Sequence, residues 1–328
     1  RLKLLRLPRS FQRYLPISGR KPPTIAIFGR MKGVSATVSL FGILLLFLIP
    51  TRVDAGGSAT EKEERGPQVV VGSLNIHYVA RNQGRLDWPG RREAVAAAIR
   101  EGNPDIMAFQ EMETFEGGHF SDRNVQLSFL REQFPEYAFA AVGDPRVYPF
   151  TQPVMYRRGR FEQLEQGFFF FSPTPDRIYA DPWVGRYPAF ASWARFLDTL
   201  SGRRFYLYNV HFDYQSRENR LRSAKLVAER LGERAHPEEA VLVVGDFNAP
   251  WFFESTEIVA KAGLEVAETT GSTVHFYRGI NLVPAIDHVL FSEEFEHQST
   301  RVLRSRFHGS WPSDHYPVFV TLTLASDS

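Results

Sequence analysis

Six short clusters of ionisable and hydrogen-bonding residues punctuate the chain, each beside an apolar run. They are Asn75 and His77 in SLNIH, Gln110-Glu111, His211 and Asp213 in NVHFD, Asp246 and Asn248 in GDFN, Asp287-His288, and Asp314-His315 in SDHYPV. Each is ordinary by itself: an Asp after Gly is a common turn or cap residue, and a His among aromatics is a common rim residue. As a set they describe a chemistry. Glu111, Asp246, Asp287 and Asp314 offer hard oxygen donors suited to Mg²⁺ or Mn²⁺. Asn75 and Asn248 can donate hydrogen bonds to phosphate oxygens without adding negative charge. His211 and His315 belong to the one side-chain type whose ordinary pKa lies near neutrality. Together these groups match what phosphoester hydrolysis needs: charge neutralisation, a positioned water and a protonated leaving group.

Such residues must be held by strand ends, and the sequence supplies them. Val69-Val70-Val71 leads a buried strand toward Asn75, 106–109 is a second, and 241–244 a third that runs straight into GDFN. Further strands are expected at 137–142, 153–156, 161–171, 191–198, 205–210, 289–292, near Val302 and at 318–324. Helices are expected at 91–101, stopped by Gly102-Asn103-Pro104, at 125–134, and at 218–231, where Leu221, Ala224, Ala228 and Leu231 recur at helical spacing. Helices interleaved with many strands indicate an α/β protein with mixed sheets, as one domain over about 68–326. In open α/β architectures, functional groups gather at strand termini and the loops that follow.

In this order, SLN, QE, NVHFD, GDFN, IDH and SDHYPV resemble the endonuclease/exonuclease/phosphatase superfamily over roughly residues 69–324, GDFN and SDHYPV being the most specific pieces. The resemblance implies a four-layered α/β sandwich, two packed mixed β-sheets flanked by helices, with the active site at one rim. It implies Glu111 as principal metal ligand with Asn75 beside it, and Asp314 supporting the metal site. Asp246 would orient or deprotonate the attacking water and Asn248 would hold a phosphate oxygen. His315 would act as general acid or base, fixed by Asp287, and His211 would contact the scissile phosphate. Mg²⁺ is the implied cofactor, with Mn²⁺ as the alternative. Abasic-site endonucleases of this superfamily carry an acid where this chain has His77, which argues against a second metal there. HFDYQSRENRLRSA looks like bacterial exported and deadenylase-like members.

Composition narrows the partners. Hydrophobic residues make up 43% of 328, ample for a core, and the absence of cysteine excludes disulfides and thiolate chemistry. Of 39 Lys and Arg, ten lie in 1–55 with a single acid, leaving 29 basic against 36 acidic residues and a net of about −7 beyond. That balance argues against general charge-driven nucleic-acid binding. The expected partner is a phosphate ester, whether nucleic acid, phospholipid head group or small phosphoester, bound by a monomer. From Met31, a basic start, an uncharged run at 33–51 and Val53-Asp54-Ala55 read as a signal peptide cleaved after Ala55, hence export. The alternative is a retained membrane anchor over 33–51. Residues 56–67 read as a flexible linker.

Two other classes of function compete with the phosphoesterase reading. A non-catalytic binding protein would lack catalytic side chains, and every expected position is filled. A zinc hydrolase built on His77, His211 and His315 lacks a compact metal-ligand spacing. The Phe168–Phe171 run reads as buried strand, and Arg217, Arg220 and Arg222 as a solvated helix face. Arg186 and Trp193 flank a loop and strand that could line a substrate groove.

Overall fold

The computed structural model describes residues 66–79, 86–112, 124–149, 151–185 and 187–324. The expected signal or anchor within 1–55, the linker up to 65 and Arg186 lie outside these residues.

Among the described residues, twelve strands form two six-stranded sheets. The first contains β1 (Gln68–Asn75), β2 (Ile106–Gln110), β3 (Tyr137–Ala140), β4 (Val154–Arg157), β11 (Phe295–Val302) and β12 (Val318–Leu324), in the order β11-β12-β1-β2-β4-β3. The second contains β5 (Phe161–Phe170), β6 (Phe190–Asp198), β7 (Arg204–His211), β8 (Ala240–Asp246), β9 (Glu265–Val266) and β10 (Asp287–Phe291), in the order β5-β6-β7-β8-β10-β9. Each sheet is mixed for the same reason. A helical crossover joins its one parallel pair, β1 with β2 through α1 (Trp88–Gly102), and β7 with β8 through α3 (Arg217–Gly232). α2 (Val125–Gln133) and α4 (Glu254–Ala260) are the other helices among the described residues.

Strand alternation builds the layers. Val69 and Val71 of β1, with Ile106, Val320 and Leu322, meet Leu207, Leu242, Val244 and Val289 of the other sheet in one buried cluster. Leu74, Met107 and Phe109 point the opposite way, under Val95, Ile99, Leu127 and Leu130 of α1 and α2. Tyr208, Val241 and Val243 likewise face Ala224, Val227 and Val259 of α3 and α4. The result is helices, sheet, sheet, helices: the four-layered sandwich expected from the sequence. Phe169, Phe170 and Phe171 are buried as expected, whereas Phe168 is half-buried.

Some boundaries differ, for local reasons. α1 starts three residues early because Pro89 is tolerated in the first turn. α4 is too short to leave a periodic signal, and the sequence reading missed it. β10 begins at Asp287 instead of after it, which puts that carboxylate in the ladder opposite Asp246. Gly245 precedes Asp246 at φ 143°, and a Cβ there would lie 2.0 Å from the Val210 carbonyl oxygen of the neighbouring strand. Only glycine allows β7 and β8 to meet so closely just before the site.

Candidate active site

Buried amides fasten the two sheets together beneath one rim. Gln110 Nε2 at the end of β2 donates to Asn209 Oδ1 of β7 (2.8 Å), and Asn209 Nδ2 returns a bond to the Phe109 carbonyl (2.8 Å). The next residues outward are therefore brought face to face across the sheets: His211 Nε2 lies 3.7 Å from Glu111 Oε1 and 3.7 Å from Asp246 Oδ2. Asn75, leaving β1, completes the junction by donating from Nδ2 to Glu111 Oε1 (3.0 Å) and to Asp246 Oδ2 (3.1 Å). Two carboxylate neighbours require the NH₂ end of its amide here, and Oδ1 accepts from the His77 backbone N–H (3.0 Å). Asn75 thus bridges the two carboxylates, with one lone pair of Oδ1 still open.

The third group is the Asp287–His315 pair. His315 Nδ1 bonds Asp287 Oδ2 at 2.9 Å, and Nε2 lies 3.8 Å from Asp246 Oδ2. Both carboxylates, at 1% exposure, are removed from water. Burial first, then the neighbouring Asp287, pushes the Asp246 carboxyl up to about 6, although His315, His211 and the Asn248 N–H pull it down. Burial alone would push the His315 imidazolium down. Asp287, by charge and hydrogen bond, together with Asp246 and Asp314, outweighs it and raises His315 well above its ordinary value. Burial likewise opposes ionisation of Asp314, but His77, His315, Arg91 and the Ser313 hydroxyl hold its carboxyl below the usual range.

Asn248 reaches the rim by a route that strand alternation does not provide. Asp246 Oδ1 accepts from the Asn248 backbone N–H (2.8 Å), closing a turn in which Asn248 takes φ 47°, and Asn248 Nδ2 donates to the Phe212 carbonyl (2.9 Å). An Asn amide carries two N–H bonds, so one donor remains.

The donor set fits a hard divalent cation. Glu111 Oε2 is buried and unpartnered, a carboxylate oxygen with no proton donor beside it. Ligand-type atoms of Asp246, Asp287 and His315 also lie within 4.8 Å of one another, but the His315 and Asp287 atoms are largely spent on each other. Among the described residues, the other such group is His236, Glu238 and Glu239, so no three-histidine zinc site forms. His77 turns Nδ1 to the Tyr277 hydroxyl (2.9 Å) instead.

All eight sequence-predicted site residues, Asn75, Glu111, His211, Asp246, Asn248, Asp287, Asp314 and His315, lie on this rim, at or just beyond the ends of β1, β2, β7 and β8, at the start of β10 and before β12. Asp213 does not join them: it caps the turn into α3, accepting from Gln215 and Ser216 N–H groups and from Asn219 Nδ2. Arg217 and Arg222 pair with Glu254 and Glu218 on the surface, as expected. Arg220 corrects that reading, since it is half-buried and donates to the Asp213 carbonyl (2.7 Å). Trp193 lines a groove of about 330 Å³ beside the end of α3, with Tyr206, Tyr208 and Arg230, sharing no residue with the rim.

Sequence reasoning missed the guanidinium behind the site. Arg91 is 1% exposed and donates to the carbonyls of Leu86, Ile76, His77, Tyr78 and Pro312, tying the exit of β1 to the segment that carries Ser313, Asp314 and His315. Ser313 Oγ adds a 2.6 Å bond to the Asn75 carbonyl across the same seam. A signal existed: Arg91 falls at helical spacing on the face formed by Ala94, Val95 and Ala98. For Tyr277, in a loop between β9 and β10, there was none.

A model of the Endonuclease/Exonuclease/phosphatase family matches residues 71–315. An endonuclease/exonuclease/phosphatase family protein of Bacteroides thetaiotaomicron is 25% identical, with a TM-score of 0.68 over 80% of this chain and 100% of that one. A mannosyl-6-phosphatase of B. thetaiotaomicron VPI-5482 is 26% identical, with a TM-score of 0.67 over 77% and 99%. The human nocturnin catalytic domain shares the fold, at 17% identity and a TM-score of 0.56 over 79% and 95%. A protein of Acanthamoeba polyphaga mimivirus is 25% identical over 166 residues, 49% of this chain and 59% of its own length.

Proposed function

The chain belongs to the endonuclease/exonuclease/phosphatase family, and from that premise we propose that it is a divalent-metal-dependent phosphoesterase cleaving a phosphodiester by in-line attack of water. One observation carries the reading: residues from four separate segments converge so that Asp246 Oδ2 is within 3.8 Å of Asn75, His211 and His315 at once. A carboxylate, a neutral donor and two imidazoles around one point suit a phosphate and its attacking water.

In this reading Asp246 orients the water and accepts its proton as the new P–O bond forms. With its carboxyl raised only to about 6, it is mostly ionised at neutral pH, yet more basic than an ordinary aspartate. His315, held protonated and oriented through Nδ1 by Asp287, delivers a proton from Nε2 to the leaving oxygen as the old P–O bond breaks. His211 and the remaining N–H of Asn248 hold non-bridging phosphate oxygens. A Mg²⁺ or Mn²⁺ ion bound by Glu111 and Asp314 would supply charge neutralisation at the phosphate.

The similarity to a mannosyl-6-phosphatase favours a second reading, a phosphomonoesterase with the same residues in the same roles. Export of the chain through 31–55, or its anchoring by 33–51, belongs to the proposal too. Asp246→Asn and His315→Ala should each lower hydrolysis of bis(p-nitrophenyl) phosphate by at least about 100-fold while leaving thermal unfolding cooperative. EDTA should abolish turnover and Mg²⁺ or Mn²⁺ restore it. Activity that survives both substitutions, or chelation, defeats the assignment. A panel of single-stranded and duplex DNA, RNA, sphingomyelin, inositol phosphates and sugar phosphates separates diester from monoester substrates.

A further inference from the structure

Three consecutive aromatic side chains beyond GDFN are turned outward: Trp251, Phe252 and Phe253 are 59%, 48% and 47% exposed, and they touch one another edge to face. At roughly 200 Å² per aromatic side chain, this is about 300 Å² of apolar surface in one patch, the lower end of the size of the largest patch on a typical monomer, which often serves binding. Their base is rigid. Asn248 is locked to Asp246 and Phe212, the Ala249 carbonyl bonds the buried His288 ring (2.9 Å), and Phe253 N–H closes a turn onto Pro250.

Other loops leaving the same end of the second sheet do likewise. Asp246 pairs with Asp287 in the ladder, and Leu282 and Val283, 86% and 39% exposed, precede Asp287 by only a few residues. His211 pairs with Asp246, and Tyr214, 55% exposed, follows His211 by three. The apolar side chains therefore belong to three loops that open from the strand ends bearing His211, Asp246 and Asp287. Such a rim suits a broad, soft surface better than a single peptide in a groove.

We propose that this rim docks the protein on the interface of a zwitterionic lipid bilayer, with Trp251, Phe252 and Phe253 entering the head-group region beside the catalytic mouth. Trp, Tyr and Phe favour that boundary, where an apolar ring meets a wet head group. Charge selects the kind of surface. Of the acids next to the patch, Glu254 is paired with Arg217, and the Asp213 carboxylate is held inward by the N–H groups of Gln215, Ser216 and Asn219. The net charge of about −7 beyond residue 55 repels anionic lipid and nucleic acid alike. The inference rests on the proposed phosphoesterase site only for the position of the mouth, and it makes phosphate-bearing lipids the substrates within reach.

The five tryptophans lie at 88, 183, 193, 251 and 311, none within 33–51, so their fluorescence reports on the folded region and not on the apolar run. Full-length protein in EDTA, mixed with vesicles of brominated phosphatidylcholine, should show tryptophan quenching that Trp251→Phe largely removes. Trp251→Ser/Phe252→Ser/Phe253→Ser should leave turnover of bis(p-nitrophenyl) phosphate within about twofold, since exposed side chains contribute little to stability. Quenching absent from the wild type, or unchanged by Trp251→Phe, overturns the inference. So does a loss of soluble turnover in the triple variant, because the rings would then be holding the leaving group. Asp246→Asn protein should quench like the wild type, so failure of the catalytic reading and failure of the docking reading give different results.

Discussion

Replacing Arg91 by methionine tests whether one buried cation holds the two halves of the rim together. Arg91 satisfies five backbone carbonyls, of which Ile76 and Pro312 are buried while Leu86, His77 and Tyr78 are partly open to water. Methionine matches much of the aliphatic volume and donates nothing. The two buried acceptors lose their partner at about 1–3 kcal/mol each, and the outer three can recover bonds from water. Relief of the buried charge offsets part of the cost, so the net loss should be about 1–5 kcal/mol. For a domain of this size that lowers Tm by roughly 2–20 °C. Activity should fall further than stability explains. The exit of β1 with Asn75 and the segment with Asp314 and His315 are joined through this side chain, and a misplacement of about 1 Å can cost about 100-fold in rate. Arg91→Lys keeps the charge, but its single ammonium with three donors cannot span both segments, so it should restore part of the stability and less of the turnover. Calorimetry and kcat on the same preparations provide the comparison. If Arg91→Met melts within 2 °C of the wild type and turns over normally, the clamp does not exist.

Asp287→Asn removes the carboxylate that orients His315 and holds its proton; kcat should drop by about 10²–10⁴-fold, with the alkaline limb of the pH–rate profile moving to lower pH, and an unmoved limb would argue against the pair. Acid stability should reflect His275, stacked on Tyr316 and fully buried. Burial pushes it down to about 4 from an ordinary 6.5, so between those values the unfolded chain binds the extra proton and stability falls as pH falls, by up to about 1.4 kcal/mol per pH unit. Asp246, raised to about 6, acts in the opposite sense over part of that range, so urea unfolding at pH 7 and pH 5 should be compared between wild type and His275→Phe. The wild type should lose more on acidification, and equal losses would show that His275 does not titrate this way. Glu111→Gln should weaken Mg²⁺ binding measured by calorimetry at least about tenfold, with no change expected if the unpartnered Oε2 is not a ligand.

The sequence by itself determined the alternation of helices and strands, the apolar cores of β1, β2 and β8, and the six polar clusters beside them, from which the family resemblance singled out eight side chains. These features are local: a run of Val and Leu must be buried, and the polar residue that ends it must sit at its edge. Register and long-range contact decided the rest. Nothing near Asp246 in sequence says that Asp287 will stand opposite it in the ladder, yet that pairing, with burial, is what raises its carboxyl. Likewise, nothing near Gln110 announces Asn209, 99 positions away, which brings Glu111 against His211. Strand alternation would place Asp246 and Asn248 on one side; the protein instead uses a side-chain-capped turn with Asn248 in the left-handed region. Arg91 shows the limit most clearly. Its spacing could mark it as inward-facing, but its purpose depends on a carbonyl 221 residues further along, and only the folded chain brings the two together.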